Sequence, residues 1–314
     1  MKFTKMHGLG NDYVYVNCFD ERVTDAPALA RAVSDRHRGI GGDGLILICP
    51  SPRAPVRMEM YNADGSRAQM CGNGIRCVAK YAYDHGLIAR TPASLPPDTP
   101  AMADATRFVR DLISREHGQA AADRIGSVPD VPVETDAGVL TLTLFTLDNR
   151  AEAVCVDMGR PAFAPADMPA TLDGERIVDT PLTFDGRSYR LTLVSMGNPH
   201  AVCFTDDLDG IDLADEGSRI ENDPRFPERI NIHFVRVESR RKLHMLAWER
   251  GSGATQACGT GACAAAVAAA LTDRADRTCE VVLPGGPVGI GWADDDHVYM
   301  TGPAEEVFEG DYPA

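Results

Sequence analysis

"ERGSGATQACGTGACAAAVAAAL", residues 249–271, decides how this chain is read. A polar turn broken by glycines leads into Cys258. A Gly-Thr-Gly step follows, and then a run of small apolar residues. Such a run, apolar nearly all round, makes a helix that must be buried with other chain packed closely against it. A related phrase, "MCGNGIRCVAKYA", stands at residues 70–82. In each, a Cys-Gly-x-Gly step (Cys71-Gly72-Asn73-Gly74 and Cys258-Gly259-Thr260-Gly261) opens a helix, and a second cysteine follows. Upstream stand matching strand-and-turn phrases, "YNADGSRAQM" and "WERGSGATQA". Two copies of one strand–turn–Cys-Gly-x-Gly–helix unit imply two related domains meeting at a cleft.

Working outward, strand-like phrases dominate: "KFTKMHGLGNDYVYVN", "DGLILIC", "GVLTLTLFTL", "YRLTLVSMGNPHAVCF" and "NIHFVRVES" mix alternation with short apolar runs. Helices are expected at 27–37, 74–86 and 261–273, the second closed by Gly86. Residues 91–130 begin Pro-rich and continue into one polar, helix-like segment, and read as a mobile insertion at a domain edge with no chemistry of its own.

Composition narrows the function classes. The 314 residues carry 31 basic and 46 acidic side chains, a formal net charge of −15 that repels phosphate backbones, so nucleic acid is excluded as a partner. No apolar stretch of membrane-spanning length and no secretory leader appear, which makes a cytoplasmic protein the expectation, with no membrane partner. Nine cysteines without scaffold spacing read as free thiols. Cys18, Cys49, Cys155 and Cys203 lie within or beside apolar strand phrases and are expected to be inert core residues. Cys71 and Cys258 differ because each stands at a helix mouth.

A helix N-terminus presents unpaired N–H groups and partial positive charge, which favour a thiolate and cradle a carboxylate. One such cysteine is equally well read as a structural residue at a tight turn. Two facing each other suit proton exchange at a carbon stereocentre, one thiolate removing a proton while the opposite thiol delivers another. Helix N–H donors on the adjacent carboxylate would stabilise the carbanion. Other chemistries fit less well. The cysteine spacing is not that of a zinc site, so no metal is expected. A Cys–His nucleophile through His200 lacks a leaving-group logic. The only lysines (Lys2, Lys5, Lys80 and Lys242) have no phosphate-binding context for pyridoxal chemistry, and no nucleotide-binding glycine motif is present.

The phrases "KMHGLGNDY", "YNADGS", "MCGNGIRC", "VSMGNPHAV", "RFPERINIHFV", "WERGSGATQACGTGACAAA", "LPGG" and "VYMTGPA", in this order, resemble the diaminopimelate epimerase family over most of the chain. Residues 91–130 alone lack a counterpart. The resemblance implies a cofactor-independent enzyme that interconverts LL- and meso-diaminopimelate, a small-molecule substrate on the route to lysine and peptidoglycan. It implies an α+β fold of two similar domains, each a mixed, mostly antiparallel sheet rolled around a central helix, with the active site in the cleft between them. The domains expected are 1–151 with 302–314, carrying Cys71, and 152–301, carrying Cys258. A homodimer is the expected assembly, although no residue pattern fixes it.

Carried over residue by residue, Cys71 and Cys258 match the two acid/base thiols, and His200 and Glu249 match groups that tune their pKa. Asn11, Asn62, Asn198 and Asn231 match substrate-contacting asparagines. Glu249 and Arg250 match a charged pair that reads an amino-acid end group, and Gly72, Asn73, Gly259 and Thr260 match the helix-start donors. Gly44, in "GIGGDGLI", occupies the place of a glutamine found in some members. The residues themselves leave two rivals: a two-thiol racemase acting on proline or hydroxyproline, and a non-catalytic amino-acid-binding protein of the same fold.

Overall fold

The computed structural model describes residues 1–88 and 99–313. The chain divides into two compact units, Met1–Asp157 with Thr301–Ala314, and Met158–Met300.

In the first unit, strand Lys2–Gly8 pairs antiparallel with Asn11–Asn17, which runs parallel to Gly44–Cys49. That strand pairs antiparallel with Val56–Asn62, whose start runs parallel to Gly126–Thr135. The hairpin strands Gly138–Leu147 and Arg150–Asp157 follow, and Glu305–Asp311 covers the outer side of Lys2–Gly8. The second unit repeats the order of pairings. Arg187–Ser195 is antiparallel to Pro199–Phe204, parallel next to Asn231–Ser239, antiparallel to Lys242–Glu249, parallel to Thr278–Leu283 and antiparallel to Gly286–Trp292. Even the short crossovers agree. Helices Ala26–Ser34 and Leu213–Glu221 join the second and third strands of their units, and each starts on an aspartate side chain (Asp25, Asp212) accepting a first-turn N–H.

Each sheet curls because it must cover a helix. Gly72–Asp84 touches strands across its sheet, from Lys2–Gly8 to Arg150–Asp157, and Gly259–Leu271 touches strands from Arg187–Ser195 to Gly286–Trp292. The second helix is alanine-rich and buried from Gly261 to Ala269, so strands can approach its backbone from every side. The first carries larger residues (Ile75, Tyr81, Tyr83) and is buried from Gly72 to Tyr83. Gly86, at φ 73°, provides the left-handed residue that ends it.

The stretch 91–130 is corrected here. Residues 89–98, its Pro-rich start included, lie outside the described residues. Pro100–His117 is not a uniformly polar helix. It is capped by Thr99 and buries Met102, Ala105, Phe108, Val109, Leu112 and Ile113, an apolar stripe at three- and four-residue spacing. Residues 126–130 belong to no insertion, since Gly126–Thr135 is a sheet strand. A second correction concerns Cys18 and Cys49, which are half-buried at strand ends rather than enclosed; Cys155 and Cys203 are buried.

Candidate active site

Cys71 and Cys258 are the N-cap residues of the two central helices, with extended backbone (φ −137°, ψ 123° and φ −113°, ψ 104°) immediately before the first helical turn. At these positions the first-turn N–H groups have no acceptor within the helix. Gly74 N–H donates to Cys71 Sγ at 3.4 Å, whereas Cys258 makes no side-chain cap hydrogen bond, and the nearby Gly261 N–H acts on its sulfur by favouring the thiolate. The third helical residue is glycine in both, and a packed side chain lies over each. A Cβ on Gly74 would lie 2.7 Å from Ile46 Cδ1, and one on Gly261 would lie 2.3 Å from His233 Cε1 and 3.0 Å from Cys258 Sγ.

Strand register places the other candidates in equivalent pairs. In the first unit Gly44 faces Tyr13 on one side and Asn62 on the other. In the second, Asn231 faces His200, and the Ile232–Trp248 pair puts it opposite Glu249. Gly44 therefore corresponds to Asn231, Asn62 to Glu249, Tyr13 to His200, Asn11 to Asn198 and Ile46 to His233. The two cysteines share one backbone frame with different side chains around it.

Around Cys71 the groups are neutral amides backed by an ion network. The thiol donates to Asn11 Oδ1 at 3.4 Å, and Asn73 Nδ2 donates to the same oxygen at 3.3 Å. Asn11 Nδ2 in turn donates to Asp43 Oδ2 at 2.8 Å. Asp43 also accepts from Asp12 N–H, and Arg36 clamps the Asp12 and Asp43 carboxylates together. With Lys5 also against it, Asp12 is held below the usual carboxylate range despite its burial. Asn62 donates to Ser66 Oγ at 2.9 Å and closes its own turn. Gly44 is a packing position: a Cβ there would sit 2.1 Å from Tyr61 O, which leaves no room for a side chain in this chain.

Around Cys258 the groups are ionic and aromatic. The sulfur is buried and also lies 3.8 Å from Thr260 Oγ1. Burial first, and the hydrogen-bonded Glu249 carboxylate second, push this thiol well above the usual cysteine range. Thr255 Oγ1 donates to Glu249 Oε1 at 2.6 Å and fixes that carboxylate. Asn231 is buried and held at both ends, its Nδ2 donating to Pro199 O at 2.7 Å and its Oδ1 accepting Arg250 N–H at 2.8 Å. Arg250 itself is exposed, with its guanidinium on Glu228 O.

His200 does not bond Cys258. Its Nε2 donates to Asn198 Oδ1 at 2.9 Å, and its Nδ1 lies 2.8 Å from Nε2 of His233, a residue the sequence reading did not single out. Both rings are fully buried, and burial holds both neutral, His233 down to about 3 and His200 well below the usual range. Two further groups missed in the sequence are Asp43, which orients Asn11, and Glu221. The buried Glu221 accepts from Trp248 Nε1 and Gly251 N–H and so holds the turn around Glu249 and Arg250. An aspartate in "GGDG" and a glutamate ending an amphipathic helix were the available signals.

Nitrogens of His200 and His233 and the Cys258 sulfur lie within 4.8 Å of one another, the closest approach to a metal-ligand set in this half. At 2.8 Å the two nitrogens share a hydrogen, since nitrogens on one tetrahedral zinc would stand about 3.3 Å apart. No helix among the described residues is long and apolar enough to cross a membrane.

This geometry has close relatives. The sequence profile of diaminopimelate epimerase matches residues 3–96 and 192–307. The diaminopimelate epimerase of Agathobacter rectalis is 45% identical, over 99% of both chains. That of Desulfovibrio desulfuricans is 46% identical over 99% of this chain and 98% of its own. Among solved structures, a probable proline racemase from Agrobacterium radiobacter superposes with a TM-score of 0.65 at 13% identity, covering 99% of this chain and 92% of that one. A hydroxyproline epimerase from Agrobacterium vitis gives 0.63 at 13% identity, over 99% and 90%. Those structures share the fold, two similar domains of mixed sheet. With both cysteine-capped helices and their flanking phrases inside a full-length match to named relatives, the chain belongs to the diaminopimelate epimerase family.

Proposed function

We propose that this protein interconverts LL- and meso-diaminopimelate by direct proton transfer between two thiols and the α-carbon. The observation that carries this reading is the repeat itself: a cysteine at the N-cap of each central helix, each within reach of a polar side chain that bonds its sulfur. The reaction requires both thiols to address one α-carbon from opposite faces. In one direction a thiolate takes the α-proton, the C–H electron pair moves into the adjacent carboxylate system, and the opposite thiol delivers its proton to the other face. The reverse direction exchanges the two roles.

The chain's residues divide this work. First-turn N–H groups at Gly72, Asn73, Gly259 and Thr260 suit the carboxylate on which charge develops. Glu249 and Arg250 supply the charges for the ammonium and carboxylate of a zwitterion. Asn11, Asn62 and Asn198 supply neutral amides, which donate and accept at once. Asn231 acts through its neighbours, since both ends of its amide are already bonded. The Glu249 carboxylate beside Cys258 favours its protonated thiol, which suits Cys258 to the acid role. A cytoplasmic homodimer working without a cofactor is the setting this reading carries.

The test is epimerisation of LL-diaminopimelate by the wild-type protein and by Cys71→Ala and Cys258→Ala, each checked for folding. Wild type converts LL to a mixture with meso. Each variant loses about 10³-fold or more in turnover, since each removes an acid/base group that no neighbour replaces. Near-normal turnover in either variant contradicts the two-thiol mechanism, and an inactive wild type contradicts the function.

A further inference from the structure

One buried side chain near Cys258 has no part in the mechanism above. His233 is the third residue of strand Asn231–Ser239, at the position that Ile46 fills in strand Gly44–Cys49. Both side chains do the same packing job. Ile46 covers Gly74 in the first turn of one central helix, and His233 covers Gly261 in the first turn of the other. An aliphatic side chain therefore satisfies the shape of this position, so shape alone does not call for an imidazole.

The imidazole also carries a cost. His233 Nδ1 is buried without a hydrogen-bond partner among the described residues. A buried polar atom left unpaired disfavours the folded state, and isoleucine would not bring one. What the ring supplies in return is its other nitrogen, 2.8 Å from His200 Nδ1. His200 Nε2 faces Asn198 Oδ1 at 2.9 Å, and a carbonyl oxygen only accepts, so Nε2 of His200 carries the hydrogen. Neutral His200 then offers a lone pair at Nδ1, and Nε2–H of His233 donates to it. The hydrogen bonds run in one direction: His233 to His200 to Asn198. With Asn198 Oδ1 engaged, its Nδ2 donor is the end left for a ligand, on a side chain that is partly exposed while both histidines are buried.

We infer that His233 is a positioning residue: through His200 it locks the Asn198 amide with its donor toward the substrate's carboxylate. This rests on the function proposed above, in which Asn198 contacts the substrate. The equivalent amide in the other half, Asn11, is oriented by a different device, the carboxylate of Asp43. Each half thus has its own means of fixing an asparagine, and only the second uses an imidazole pair.

The experiment compares His233→Ile, which copies the other half, with His233→Gln, whose amide N–H can replace the Nε2 donor. His233→Ile is expected to fold with a Tm near wild type, since it removes one unpaired buried nitrogen, His233 Nδ1, and leaves another, His200 Nδ1. KM for LL-diaminopimelate rises about tenfold, the loss of one oriented hydrogen bond, and kcat changes less. His233→Gln is expected to recover most of that KM. Wild-type KM in His233→Ile overturns the inference. So does equal impairment of two folded variants, which would make the ring's shape the determinant. Nitrogen-15 spectra of the wild-type histidine side chains give a readout independent of turnover and of variant folding. Nε2–H tautomers at both His200 and His233 are expected, and an Nδ1–H tautomer at His200 contradicts the direction of the chain. That spectrum stands even if the protein proves inactive on diaminopimelate, so the two readings fail separately.

Discussion

The two halves of this chain build one backbone frame and furnish it differently. Both place a cysteine before a Gly-x-Gly helix start, with glycine at the third helical position under a packed side chain, Ile46 in one and His233 in the other. Yet Cys71 meets the neutral Asn11, while Cys258 meets the Glu249 carboxylate. The equivalent of Glu249 is Asn62, and the equivalent of the His200–His233 pair is Tyr13 with Ile46. The difference teaches that fold duplication conserves what backbone geometry demands, namely caps, glycines and register, and frees the side chains that set charge. A reaction run in both directions needs one thiol ready as acid and the other as base. Unequal surroundings are a direct way to bias which is which.

Glu249→Gln makes the second half resemble the first, and it carries the largest expected effect on the asymmetry. Removing the carboxylate removes a like charge beside a thiolate, so the pH midpoint for alkylation of Cys258 moves down by about one pH unit, while that of Cys71 stays where it is. Epimerisation falls at the same time, because Glu249 also supplies the charge proposed for the substrate's ammonium. Measuring alkylation rates of each cysteine by peptide mass spectrometry across pH separates the two. An unmoved or raised Cys258 midpoint would break the electrostatic comparison.

The histidine pair makes a smaller prediction, on stability. His233 is held neutral down to about pH 3 in the folded protein, whereas the unfolded chain takes up that proton near pH 6.5. Between these values the unfolded state binds more protons, so stability falls as the pH is lowered through this window. Each such histidine contributes a slope of at most about 1.4 kcal/mol per pH unit. His233→Ile removes one titrating group and should flatten the loss between pH 6.5 and 4 in urea unfolding. Parallel wild-type and variant curves would show that His233 is not the group responsible.

How much of this was legible in the sequence depends on which physical signal each residue leaves. The helix mouths were readable because Cys-Gly-x-Gly after a polar turn encodes cap and close approach together, and both central helices begin within two residues of the expected positions. The asparagines stood out in turn phrases. His233 did not, because "NIHFVRV" reads as ordinary strand alternation. Its meaning appears only when the register aligns it with Ile46. Asp43 and Glu221 were hidden for a similar reason, since their partners lie far away in sequence. The stretch 91–130 was drawn too long because "VPDVPVET" contains two prolines, which lower strand propensity, although tertiary pairing with Gly138–Leu147 overrides that preference. Glycine at 44 looked like a lost contact and is instead a close approach to Tyr61.

The central claim, that two thiols work on opposite faces of one carbon, is tested most directly by epimerisation in D2O at early conversion, started from each epimer in turn. With two bases, the product formed carries deuterium at the α-carbon while the recovered substrate remains largely protiated, whichever epimer is supplied. Product that keeps its original protium would mean that one base returns the same proton, and would contradict the account.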